Sequence, residues 1–274
     1  MRVVVCNERF IPLAECMSFC GHSVALWNGQ NSIFDLFHEF KPELFIIERE
    51  SITDTVGRCL KKYPATRLVV YNGTWNRCDL SISDNIDSPY FFLPAACNVL
   101  HYTNPKQNKI FECDIGYIGK NNKYIQEICQ LDLNIKTFGE NIGNQYYCGF
   151  LRQELIGDFF KTAECILHIH EQECSQQIFD IMYCGGQILS DRTKTTFNLI
   201  DNRVFYIEDE KYIQFAAVLA STNRLEYKLK ENREFIFDQH TYFDRCLSLF
   251  KELGLPHSEF QSRKQQFKNQ YNVI

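Results

Sequence analysis

The chain alternates short apolar runs of strand length with segments of helical periodicity, and this rhythm limits its fold more than any other feature. Strands are expected at residues 2–6, 23–27, 44–47 and 67–71, with helices at 12–20, 32–40 and 54–63 between them. Strands separated by helix-length segments join by crossovers, which builds βαβ units and a parallel sheet. A polar stretch at 72–88 interrupts the pattern before a short strand at 90–94. Residues 102–109, polar and proline-bearing, read as a linker. The alternation then restarts, with strands at 114–118, 134–138, 165–169, 187–189 and 204–207 and helices at 123–131, 151–162, 178–183, 194–199 and 211–219. A long helical region is expected over about 223–253. The fold class is therefore α/β, with two Rossmann-like domains facing each other across a cleft: a small one at 1–104, a second at 110–255, and a polar tail at 256–274.

With 274 residues, 45% hydrophobic and 23% charged, the chain can bury one large core or two smaller ones. A net charge of -5 argues against a dedicated nucleic-acid binder. No apolar run approaches the roughly 20 residues of a membrane span. The opening MRVVVCNERF passes straight into a strand without a signal-peptide pattern. Thirteen cysteines with no C-x-x-C pair fit small core residues better than zinc ligands or a disulfide framework. The thiols are expected to be reduced and the location cytoplasmic.

The stretch from Cys165 to Asp191 reads as strand, loop, helix, glycine turn and strand. Its loop and helix N-terminus would lie at the carboxyl end of a parallel sheet, where α/β folds hold nucleotides. Asp180, on the helix before Gly185 and Gly186, is placed to accept from ribose hydroxyls. In GYIGK, Gly116 and Gly119 would let backbone amides approach a pyrophosphate, and Lys120 would neutralise one charge; the plainer reading is a strand-to-helix turn with a solvated lysine. His168 and His170 point to one face of their strand. With no further ligands at matching spacing they suggest no metal site. His170 is expected at the strand's carboxyl end, near the diphosphate of a bound nucleotide, and His168 in the core. Glu171 and Glu173 follow, as sugar contacts or as solvated acids. Glu48 and Glu50 close the run FIIERE and would reach a cleft to bind substrate hydroxyls or assist proton transfer, a role Glu8 and Asn72 share. All of these equally suit plain rim residues. Arg58, Lys61, Lys62, Arg67 and Arg77 form either a phosphate-tracking edge or a solvated helix face.

Several stretches together resemble one family, the CgeB-like glycosyltransferases and their group-1 relatives of the GT-B fold. They are LPAAC (93–97), CDIGYIGK (113–120), Phe138-Gly139, YCGFL (147–151), QQIFDIMYCGG (176–186) and HTYFDR (240–245). The resemblance covers about residues 90–255. It implies transfer of a sugar from a nucleotide-diphosphate sugar, such as a UDP-sugar, to an acceptor hydroxyl, with retention and without a metal or other cofactor. Phe138, Gly139 and Gly149 would flank the base, Asp180 would hold the ribose, and Gln177, Gly185 and Gly186 would complete the donor helix. The sequence departs from the family in carrying Asp180 for glutamate, Gln176 or Gln177 for arginine, and a small first domain. The acceptor could be a glycan, a small molecule or a hydroxylated DNA base. The altered donor helix also suits a non-catalytic nucleotide-binding protein of the same fold; a sugar-phosphate epimerase is a weaker option, for want of phosphate glycines in the first domain.

Overall fold

A computed structural model describes residues 1–140, 145–170 and 174–273, apart from the side chain of Glu210. The chain divides into two compact units, residues 1–94 with Tyr242–Gln270, and Ala95–Thr241 with the last residues.

The first unit is built on strands β1 (Arg2–Cys6), β2 (Ser23–Trp27), β3 (Leu44–Glu48), β4 (Arg67–Tyr71), β5 (Leu80–Ser83) and β6 (Phe91–Phe92). All are parallel, in the order β2-β1-β3-β4-β5-β6. Val3–Val5 and Phe45–Ile47 are fully buried, as expected of parallel strands covered on both faces. Helices α1 (Ile11–Phe19), α2 (Ile33–Phe40) and α3 (Asp54–Lys62) connect the first strands. Ser32 and Thr53 cap α2 and α3, each accepting from a backbone N–H of the first turn. The four-residue β5 falls in the polar stretch that carried no strand expectation. Its pairing with β4 places it in the sheet.

The second unit carries β7 (Ile115–Gly119), β8 (Ile135–Gly139), β9 (Cys165–His168), β10 (Ile188–Ser190) and β11 (Phe205–Tyr206), all parallel, in the order β11-β10-β9-β7-β8. Its helices are α4 (Lys123–Ile128), α5 (Gln153–Thr162), α6 (Gln176–Cys184), α7 (Lys194–Ile200), α8 (Ile213–Thr222) and α9 (Glu226–Gln239). The α/β class and the two Rossmann-like sheets follow the sequence expectation. No helix among the described residues is long and apolar enough to cross a membrane.

The helical region expected over 223–253 is two helices, α9 and α10 (Tyr242–Glu252). The break has a physical cause. The Cys97 amide donates to the His240 carbonyl at 2.8 Å, Thr241 bridges Cys97, and the His240 ring stacks on Phe179 at 5.4 Å. Backbone claimed by a strand-like bridge cannot also continue a helix. Helix α10 then belongs with the first unit, where Arg245 Nε donates to the Pro94 carbonyl at 2.8 Å.

The polar tail forms α11 (Ser258–Gln270), also in the first unit. Phe260 and Phe267 are buried; Phe260 meets the rings of Phe250 at 4.8 Å and His22 at 5.3 Å, and Phe267 meets Phe19 and Phe243. Few apolar residues in a polar helix suffice when they are large. Phe260→Ala is expected to lower the stability of the first unit by about 3–5 kcal/mol, read from the denaturant midpoint of its unfolding.

Candidate functional site

In both sheets the strand order reverses beside the first strand, β1 against β3 and β7 against β9. Ligands of open α/β sheets bind at the carboxyl ends of the strands at such a point. In the second unit that edge carries Gly119 and Lys120 after β7, Gly139 at the end of β8, His168 and His170 at the end of β9, and Ser190 and Asp191 after β10.

The two histidines are held differently. His168 is buried; its Nδ1 lies 2.8 Å from Gln177 Oε1, while Nε2 has no partner. Since the glutamine oxygen can only accept, Nδ1 carries the proton. Burial, helped by the adjacent His170 ring, pulls the His168 pKa down to about 3, so the ring is neutral. His170 has a side chain only 1% exposed. Its Nδ1 meets Asp191 at 2.8 Å and its Nε2 meets the Thr196 hydroxyl at 2.9 Å, while its backbone N–H donates to the same Asp191 oxygen at 2.9 Å. Burial pushes the Asp191 carboxyl up, but the two hydrogen bonds and the nearby imidazoles outweigh it and hold the pKa below the ordinary value. Both ring nitrogens are engaged, which fixes the orientation of the His170 ring.

Ser175 and Thr193 cap α6 and α7. The N–H groups of both helices start at the same edge, directly after β9 and β10. Gln177 lies in the first turn of α6, held by His168. Lys120 is exposed there, and its carbonyl accepts from Tyr117 Oη at 2.6 Å.

Five expected donor residues lie elsewhere. Gly116 sits inside β7, where a Cβ would come within 2.5 Å of Phe159 and 2.8 Å of Ile166, so its missing side chain serves packing. Phe138 is buried in an aromatic cluster with Phe111 and Phe159, at 6.1 and 4.9 Å. Gly185 ends α6 in the left-handed region (φ 82°), with its amide donating to Met182 and that of Gly186 to Ile181. That turn leads into β10 and so lies at the amino end of the sheet. Gly139 does reach the edge, with φ 102° and its amide donating to the Gly149 carbonyl at 3.1 Å. Glu171 and Glu173 lie outside the described residues.

Asp180 is the fifth. It is 4% exposed in the middle of α6, and its carboxylate serves its own unit. Oδ1 accepts from the Asn98 amide at 3.1 Å, and Oδ2 from Tyr102 Oη at 3.3 Å and Gln176 Nε2 at 3.1 Å. Ribose hydroxyls find these oxygens already engaged. Burial is the dominant influence and raises the pKa to about 6 against these donors and the Cys97 thiol.

In the first unit, Glu48 ends β3 at the corresponding edge. Asn7 Nδ2 donates to it at 2.6 Å, and Arg9 lies 3.8 Å away while also pairing with Asp84 at 3.2 Å. Glu50 is exposed in the turn that follows. Asn7 and Asn72, after β1 and β4, both hold positive φ. Sequence reasoning singled out neither Asp191 nor Thr196 nor Arg9; a polar run directly after a buried strand, SDRTKTT or NERF, is the signal that could have found them.

No protein-family model and no curated protein matches this chain. Solved structures do, over nearly the whole length. A glycosyltransferase from Rickettsia africae is 8% identical, covering 98% of each chain with a TM-score of 0.64. Sucrose-phosphate synthase from Thermosynechococcus elongatus is 8% identical over 100% of both chains, with a TM-score of 0.61. Anabaena Alr3699/HepE, solved in complex with UDP-glucose, is 9% identical over 100% of both, with a TM-score of 0.57. The fold is that of the GT-B glycosyltransferases.

The buried carboxyl gives a pH signature. With a folded pKa of about 6 against an unfolded value near 3.9, native Asp180 binds the proton more tightly. Its contribution is fully present below about pH 4 and is lost as pH rises through about 6. The stability of the wild type relative to Asp180→Asn is therefore expected to fall by about 2 kcal/mol between those values, measured by denaturation at each pH. A flat difference would mean the carboxyl is not buried as described.

Proposed function

We propose that the chain is a glycosyltransferase that moves a sugar from a nucleotide-diphosphate sugar, a UDP-sugar in the simplest case, to an acceptor hydroxyl. The observation that carries this reading is the carboxyl edge of the second sheet at its switch point. Along it lie the N-termini of α6 and α7, the exposed Lys120 and a locked His170. Such an edge suits a diphosphate: helix N-terminal N–H groups and a cation offset the charge that grows on the leaving group. The fold shared with glycosyltransferases supports the same reading, and the stretches resembling the CgeB-like branch narrow it to a retaining, metal-independent transfer. Fold alone does not fix the reaction; the edge is what favours this one.

Each residue has an assigned task. Lys120 and the helix amides hold the diphosphate. Gln177 and His168 set the start of α6. His170, through Asp191 and Thr196, fixes the backbone entering the donor loop. The first unit is assigned the acceptor, with Glu48 at its sheet edge and Glu50 beside it.

Nucleotide binding tests the reading directly. UDP or a UDP-sugar at 100 times its dissociation constant should add about 2.7 kcal/mol of stability, visible as a thermal shift. Lys120→Ala, an exposed change without packing cost, should weaken that binding by about 1.5–3 kcal/mol. Turnover should persist in the presence of a chelator. Failure of every nucleoside diphosphate to shift the melting temperature would overturn the assignment, and a requirement for magnesium or manganese would overturn the metal-independent part.

The division of tasks has its own test. Glu48→Ala and Glu50→Ala should leave nucleotide affinity unchanged within about 0.5 kcal/mol while Glu48→Ala lowers turnover, measured separately by calorimetry and by donor consumption. Nucleotide affinity reduced as far as in Lys120→Ala would remove Glu48 from the acceptor side.

A further inference from the structure

The first unit holds a second candidate site, independent of the edge described above. The turn after β3 and the outer side of α3 border an open cleft of about 610 Å³ lined by Arg49, Asp54, Gly57, Arg58, Lys61 and Trp75, among others. Three cations face one acid. None of the three makes an ion pair among the described residues, and Arg58 reaches only the Thr55 hydroxyl, at 3.4 Å. Cations that outnumber the one acid of a cleft raise the local potential and concentrate anions there.

The cleft is set by its neighbours. The Arg49 stem lies on Gly73, where a Cβ would come within 2.6 Å of Cγ, so the side chain leaves the turn in a fixed direction. Trp75 lies against α3, with Cζ2 only 3.3 Å from the position of a Cβ on Gly57. An indole held this way presents a flat apolar surface beside the cations, suited to stacking a ring.

The remaining basic residues of this region are occupied elsewhere. Arg77 donates to the carbonyls of Leu60, Tyr63 and Pro64. Arg67 pairs with Asp79 at 2.8 Å, and Lys62 lies 5.8 Å from both the Phe34 and Tyr63 rings. The available charge is therefore gathered at one point instead of running along an edge. A nucleic-acid backbone calls for a row of cations; a single phosphate calls for a cluster.

We propose that this cleft binds a phosphate-bearing ring compound, with the phosphate on Arg49, Arg58 and Lys61 and the ring on Trp75. The inference goes beyond the transferase reading and stands without it. A sugar phosphate and a nucleoside monophosphate share this chemistry, so both are probes.

The chain has two tryptophans, and a Trp27→Phe background leaves Trp75 as the reporter. Its fluorescence is titrated with glucose 6-phosphate, adenosine monophosphate, inorganic phosphate, glucose, adenosine and a short oligothymidylate. The expected result is a saturable change with at least one ring phosphate, roughly tenfold tighter than inorganic phosphate, and none with glucose or adenosine. Which ring phosphate binds identifies the source. In the same background Arg58→Ala with Lys61→Ala should weaken binding roughly tenfold or more, and Arg58→Lys with Lys61→Arg should keep most of it. Both pairs are exposed and leave the core intact; Arg49 is left in place because its stem packs on Gly73. The UDP-induced thermal shift should be the same in all of these variants, which separates this cleft from the donor edge. No response to either ring phosphate at millimolar concentration, unchanged affinity in the double alanine variant, or binding confined to the oligonucleotide would each overturn the proposal.

Discussion

A parallel strand covered on both faces has no room for a polar side chain except at its ends, and both units of this protein follow from that restriction. Val3–Val5, Phe45–Ile47 and Cys165–Leu167 are buried throughout, so the polar residues of each crossover collect where the strand stops. Because all strands of a sheet run the same way, those stops share one edge. Asn7, Glu48 and Asn72 gather on the first sheet and Lys120, His170 and Asp191 on the second. The caps Thr53, Asn122, Ser175 and Thr193 belong to the same series, since a helix that starts after such a strand needs its first amides satisfied. Chemistry-bearing residues are thus brought together by topology without any one contact selecting them.

Against this background Asp180 is an exception, and an instructive one. A carboxyl in the middle of a buried helix is costly unless its oxygens are bonded. Here they receive the Asn98 amide, the Tyr102 hydroxyl and Gln176. Asn98 and Tyr102 belong to the segment that enters the second unit after Pro94, so one buried carboxyl ties the incoming chain to the helix of that unit. A few residues away Cys97 takes the His240 carbonyl, and Thr241 precedes the return to the first unit. Both passages of the chain are therefore pinned within the second unit by polar groups in its interior.

Much of this was legible in the sequence, because parallel strands are marked by composition and length. The strands at 2–6, 23–27 and 67–71 fall where their apolar runs indicate. The strand at Leu80–Ser83 was not legible: four residues with two serines look like loop until a neighbour supplies the hydrogen bonds. The break at His240 was hidden for a similar reason, since the competing partner, Cys97, is more than a hundred residues away. Glycines were read least well. Gly119 and Gly116 look alike in GYIGK, yet only the first lies at the strand's end; what Gly116 answers to is Phe159 and Ile166 on other elements. Asp180 shows the same limit from the other side. Its spacing from Gly185 marks a helix acid, and nothing local reveals that its oxygens are filled by residues some eighty positions earlier.

The electrostatics of the second edge bear on how a reaction there is divided among residues. His168 is neutral and buried, and His170 is locked between Asp191 and Thr196. Asp191 is held ionised by the bonds it receives. His168 stays neutral and Asp191 ionised near neutral pH, and the His170 ring is fixed in orientation between its two partners. An edge of this kind is pre-organised, with its dipoles fixed before a ligand arrives, which is the condition under which amides and a cation stabilise developing charge most effectively. Proton transfer asks for the opposite, a group with a free lone pair and room to change state. On the proposed reading the second edge binds the anion, and the acid–base step falls to a group outside it. Glu48, whose carboxylate is oriented by Asn7 and Arg9 yet remains partly exposed, has the features that such a group requires.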